Sequence, residues 1–106
     1  MTTIKELTAA IKQFNDQRGW EPYHSPKSLT MSVAIEAAEL MEHFQWLRDT
    51  EEVLQYSKDH KQEIGEEVAD VAIYLLELAR VLDIDLTQTI LAKMEKNAIR
   101  YPVKEK

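Results

Sequence analysis

This sequence predicts an all-α fold, a four-helix bundle in a single domain over residues 1–106, and three observations support that reading. Apolar residues recur at helical spacing through most of the chain. Two glycines and three prolines are too few for the many turns of an all-β protein. Capping patterns precede three of the four apolar stripes.

The first helix is expected from about Thr3 to Arg18, where Thr3 and Glu6 form a capping-box pattern and Ile4, Leu7, Ile11 and Phe14 make the stripe. Gly19 ends it. The segment Gly19 to Lys27 holds two prolines and reads as an ordered loop. Ser28 is the expected cap of a second helix over about Leu29 to Leu47. Residues Arg48 to His60 are polar, with a short helical turn near Glu51 to Tyr56. The third helix covers about Lys61 to Leu82, and Leu75, Leu76, Leu78 and Leu82 make its second half strongly apolar. Gly65 inside it costs roughly 1 kcal/mol against alanine, so close packing is expected there. Asp85 and Gln88 cap a fourth helix that runs to about Arg100 and stops before Pro102.

Two matched acid pairs stand out. Glu36 and Glu39, and Glu67 and Asp70, each have i, i+3 spacing, so each pair shares a helix face. With Glu36 as origin, Leu40 and Val33 fall about 40–60° to one side and Glu39 about 60° to the other. With Glu67 as origin, Val71 and Ile64 occupy the first flank and Asp70 the second. One such pair is ordinary on a solvated helix. Two pairs at the same stripe position, on helices that a short connection makes antiparallel neighbours, converge. Like charges brought together without a counter-ion destabilise a fold. Four such carboxylates call for a divalent cation with oxygen ligands, and magnesium suits them. Glu63 could assist, whereas Glu66 and His43 read as solvated or partly exposed.

Composition narrows the function further. A net charge of −6 argues against a nucleic-acid polymer as partner, and an acidic pocket accepts a phosphate ester only when cations neutralise both. The absence of cysteine rules out disulfides and thiolate metal sites and fits a cytoplasmic location. The first residues carry no signal-peptide core, and no stretch reaches membrane-spanning length, so no membrane partner is expected.

The same residues carry a family resemblance. ExxE at Glu36 and Glu39 followed by ExxD at Glu67 and Asp70 resembles the MazG-like all-α nucleoside triphosphate pyrophosphohydrolases. RGWEPYHSPKSL is similar to that family's RxWxxFHxPxNL loop, EEVADVAIYL to its EELxDVLIYL, and KMEKNAIRYP to its terminal KMxxNxxRYP. FQW at Phe44 to Trp46 resembles the end of its first motif helix. The small members that include the dCTP pyrophosphatases are the most similar group.

The resemblance implies hydrolysis of a nucleoside triphosphate, dCTP first, to the monophosphate and pyrophosphate by metal-activated water attacking the α-phosphorus. It implies that Glu36, Glu39, Glu67 and Asp70 hold magnesium, with manganese able to substitute. Glu39, with Glu36 beside it, is then the favoured proton acceptor. Trp20, Tyr23, His24, Trp46 and Tyr74 would bind the base, although composition alone reads Trp46 and Tyr74 as core. Lys93, Asn97 and Arg100 line one face of the last helix and with Tyr101 would bind phosphates. Ile11 departs from the pattern, since dCTP-preferring members place a histidine there; this bears on base choice and not on metal chemistry. The family implies a homodimer or homotetramer, and the broad apolar circumference of Val71 to Leu82 agrees. The competing classes are a non-catalytic helical interaction module and a di-iron carboxylate bundle. The latter needs Glu-x-x-His motifs on facing helices, and the one such spacing in the chain, Glu21 to His24, falls in the proline-containing loop.

Overall fold

A reciprocal capping box starts α1 (Ile4–Gln17) in the computed structural model, which describes residues 2–104. The Glu6 amide donates to Thr3 Oγ1 at 3.1 Å, and the Thr3 amide donates back to Glu6 Oε1 at 3.3 Å. Gly19, with φ +67°, takes the left-handed conformation that turns the chain out of α1. The Trp20 amide then donates to the Asn15 carbonyl at 3.0 Å, which pins Trp20 against the helix end. A 3-10 turn follows at Glu21–Tyr23.

The second helix, α2 (Pro26–Glu42), begins earlier and ends earlier than its stripe predicts. Ser25, not Ser28, is the cap: its Oγ accepts from the Ser28 amide at 3.2 Å. Pro26 suits the first helical position, where a missing N–H costs nothing. Beyond Glu42 the chain tightens into turns whose amides reach back three residues, as from Phe44 to Met41 at 3.0 Å. The polar segment expected to hold one turn forms a ten-residue helix, α3 (Thr50–Asp59). Asp49 caps it by accepting from the Glu52 amide at 2.9 Å. The fourth and fifth helices are α4 (Lys61–Val81) and α5 (Leu86–Arg100), and Asp85 caps α5 from the Gln88 amide. The described residues thus form five α-helices and no strand.

The longest helix, α4, is the hub. Along it α2 makes the main interface, while α1 and α3 make smaller ones; α5 packs substantially on none of them among the described residues. One chain therefore does not close the expected four-helix bundle. Among the apolar side chains of the described residues only Leu29 and Ala79 are buried. The accessible surface is 8892 Å², against about 6,100 Å² for a compact monomer of this mass. The radius of gyration is 17.1 Å where about 13 Å is usual. Gly65 does not serve close packing within the chain, because an added Cβ would meet no neighbour within 4 Å. No described helix is long and apolar enough to cross a membrane.

Candidate functional site

The main interface of the fold, α2 on α4, carries the acid pairs. Glu36, Glu67 and Asp70 each offer a carboxylate oxygen, and these oxygens lie within 4.8 Å of one another. Burial, then the carboxylates of Glu39, Asp70 and Glu67, push the Glu36 pKa up. Burial and the charges of Glu39 and Asp70 do the same to Glu67, with His43 opposing. Glu39 thus acts on both, although it is exposed and stands outside the tight group of three. Glu36 Oε2 and Glu67 Oε2 are buried with no hydrogen-bond partner. Two orphaned oxygens in a like-charged cluster fit a hard divalent cation, which would satisfy both and remove the repulsion. Glu63 and Glu66 remain exposed and outside the group. His43 is turned to another use: its Nδ1 lies 2.8 Å from the Tyr56 hydroxyl, and Tyr56 stacks on His60 at 3.9 Å.

Beside the acids a cavity of about 610 Å³ opens between α1, α4 and the loop after α1. Apolar and aromatic side chains dominate its wall, including Ile11, Phe14, Ile73 and Tyr74. Trp20 stands edge-on to Phe14 with ring centroids 5.7 Å apart. A cavity of this size and character suits a small organic ligand with one stacking ring. Asp70 belongs both to this wall and to the carboxylate group. Of the five residues expected around a base, Trp20, His24 and Tyr74 line the cavity. Tyr23 and Trp46 do not, and they are 75% and 82% exposed.

The cavity ends on a buried polar network absent from the sequence-based expectation. Glu77 is 1% exposed. Its Oε1 accepts from Arg80 Nε at 2.7 Å, and its Oε2 accepts from Asn15 Nδ2 at 2.9 Å and lies 2.8 Å from His24 Nδ1. Arg80 also donates to Glu21. Burial alone would push the Glu77 pKa up, but hydrogen bonds from Arg80, His24 and Asn15 and the Arg80 charge together hold it at about 2. The carboxylates of Glu21 and Glu77 approach His24 closely enough to suggest a second metal site, yet the Arg80 guanidinium already supplies the cation. A signal was present in the sequence. Glu77 lies seven residues after Asp70 and so on nearly its face, in the apolar half of the helix, with Arg80 one turn on.

Lys93, Asn97, Arg100 and Tyr101 are all exposed, from the middle of α5 to just beyond its end. The Arg100 guanidinium sits 5.3 Å from the Tyr101 ring centroid. Among the described residues no hydrogen bond or ion pair joins these four to the carboxylates. The reason is the packing: α5 makes no substantial interface with the helices that carry the acids.

Residues 31–106 match the model of the MazG-like family. The dCTP pyrophosphatase 1 of Mus musculus is 37% identical over 102 residues, which are 95% of this chain and 60% of that protein. The dCTP pyrophosphatase 1 of Homo sapiens is 37% identical over 101 residues, covering 94% and 59%. The chain thus spans about 60% of the length of the curated relatives it matches. The crystal structure of a pyrophosphatase from Archaeoglobus fulgidus superposes with a TM-score of 0.90 at 45% identity, covering 93% of this chain and 92% of that one.

Proposed function

The chain belongs to the MazG-like family, and on that premise we propose that it is a magnesium-dependent nucleoside triphosphate pyrophosphohydrolase with dCTP as its first substrate. The observation that carries this reading is Asp70, common to a cation-demanding acid cluster and an aromatic cavity. A nucleotide has the matching two ends: a base for the cavity and a polyphosphate whose charge an acidic cluster accepts only through a cation. The names of the curated relatives and of the superposed pyrophosphatase favour the same chemistry and, among bases, cytosine.

Glu36, Glu39, Glu67 and Asp70 would hold magnesium, or manganese in its place. When bound, the ion offsets phosphate charge and raises the acidity of water. The chain's own part is to place the triphosphate and take a proton. Glu39, exposed and one turn from Glu36, accepts the proton of the water that attacks the α-phosphorus, and pyrophosphate departs. A panel of triphosphates with magnesium, scored for pyrophosphate against orthophosphate, tests this. Pyrophosphate as sole product with dCTP fastest is expected; orthophosphate alone would place cleavage at the wrong bond.

A second copy of the chain completes the protein as a homodimer or homotetramer of one-domain chains in the cytoplasm. The support is the surface excess of about 2,800 Å² over a compact monomer, an amount typical of one side of a large obligate interface. Ile90, Leu91 and Met94 on α5 are 43–61% exposed and demand a cover. Docking α5 against a second copy would carry Lys93, Asn97 and Arg100 toward acids they do not reach in their own chain. Arg100→Ala should therefore raise KM roughly ten- to hundredfold, the loss of a charged phosphate contact, with little change in thermal stability. An unchanged KM would remove Arg100 from the site.

A further inference from the structure

Glu77 has no part in the metal chemistry, yet it is a fully buried acid at the wall of the cavity. At a pKa of about 2 it is ionised in any ordinary buffer, and an ionised carboxylate only accepts hydrogen bonds. The 2.8 Å contact to His24 therefore requires the hydrogen to sit on Nδ1. Asn15 Nδ2 lies 3.4 Å from the same nitrogen, but two donors cannot bond each other, so its hydrogen goes to Glu77 at 2.9 Å. The groups facing this ring are Glu77 and Arg80 from α4, Glu21 from the 3-10 turn and the neutral Asn15 from α1. His24 Nε2 is then the ring nitrogen left for a ligand, and in the neutral ring it is an acceptor. Most of the surrounding wall, including Leu7, Ala10, Ile11 and Ile73, offers no hydrogen bond to a base edge.

We infer that Glu77 is a positioning residue that locks His24 as the Nδ1–H tautomer, so that Nε2 selects a nucleobase presenting an N–H donor, such as the exocyclic amine of cytosine, over one presenting a carbonyl. This rests on the base-binding reading of the cavity given above. On this inference the polar group that reads the base stands on the loop and is set from α4.

Glu77→Gln is the direct test. Arg80 donates to both oxygens of Glu77; in the variant the remaining oxygen keeps the shorter bond, from Nε at 2.7 Å, and the 3.1 Å one from Nη2 is given up, so that the amide turns to His24 and drives the hydrogen onto Nε2. Nitrogen resonances of His24 in the labelled full-length protein, at about pH 8 where histidine is ordinarily neutral, report the tautomer directly. Titration with dCMP and dUMP reports base choice without needing turnover. The wild type should show a pyrrole-like Nδ1 and a pyridine-like Nε2 that shifts on adding dCMP, with dCMP bound more tightly than dUMP. In Glu77→Gln the two nitrogens should exchange character and the dCMP to dUMP affinity ratio should fall about tenfold or more. Glu77→Asp, which keeps an acceptor-only partner, should retain part of the preference. A wild-type ring protonated on Nε2, or a Glu77→Gln protein with an unchanged affinity ratio, overturns the inference. So does failure of either nucleotide to bind. Failure to release pyrophosphate, with the tautomer and affinity ratio as expected, would instead count against the hydrolytic reading alone.

Discussion

Glu67→Gln should all but abolish hydrolysis and, in the absence of divalent metal, make the protein more resistant to heat than the wild type. Both effects follow from one cluster. Burial and the neighbouring charges of Glu39 and Asp70 push the Glu67 pKa up. A carboxyl whose pKa is raised by folding favours the folded state below its ordinary range, and that benefit is lost as pH rises through the raised value. At pH 8 the ionised cluster is therefore a source of repulsion, and Glu36, shifted the same way, shares it. Removing one of its charges relieves the strain. The same substitution removes a carboxylate oxygen from the proposed cation site, so turnover should drop about a thousandfold or more. Magnesium should raise the melting temperature of the wild type markedly, since a ligand that binds only the folded state at about 100 times its Kd contributes about 2.7 kcal/mol. It should raise that of the variant far less. Thermal scans at pH 8 with and without magnesium, beside a pyrophosphate-release assay, measure both halves. A variant that melts earlier than the wild type without metal, or that retains turnover, refutes the assignment.

The acid cluster was legible because its signal is local and periodic. Two i, i+3 pairs at one stripe position are visible in the chain, and the helices that carry them do pack together. The capping box at Thr3 and the cap at Asp85 were legible for the same reason. What escaped was non-local. Whether Ser25 or Ser28 caps α2 depends on Pro26 entering the first turn, which the apolar stripe does not reveal. The polar stretch around α3 has no broad apolar face, and its helix is secured by the Asp49 cap and by Tyr56 stacking on His60 and reaching His43. The network of Glu77 joins residues up to 62 positions apart, so only the folded chain displays its closure. The placement of α5 is not encoded within one chain at all if its apolar residues wait for a second copy.

Arg80→Leu should be the most damaging substitution outside the acid cluster. It leaves Glu77 buried at 1% exposure with its charge uncompensated, although His24 and Asn15 still donate to it. Breaking a buried pair from one side typically costs about 3–5 kcal/mol, which is a large part of the stability of a domain this size. For about 100 residues that corresponds to a fall in melting temperature of roughly 15–30 °C, read at fixed protein concentration. The double variant Arg80→Leu/Glu77→Leu removes both charges and should recover most of the loss. Acid unfolding separates charge from packing. The pKa of Glu77 falls from 4.5 to about 2 on folding, so its contribution is present above pH 4.5 and is lost as pH falls toward 2. That shift corresponds to about 3 kcal/mol, and the double variant should lack this part of the acid transition. On the proposed role of His24 it should also bind cytosine and uracil nucleotides alike, since nothing then sets the ring. Equal melting temperatures for Arg80→Leu and wild type, or a double variant no better than the single, would mean that water reaches Glu77 and that the network at the end of the cavity is not the closed, dry assembly its distances describe.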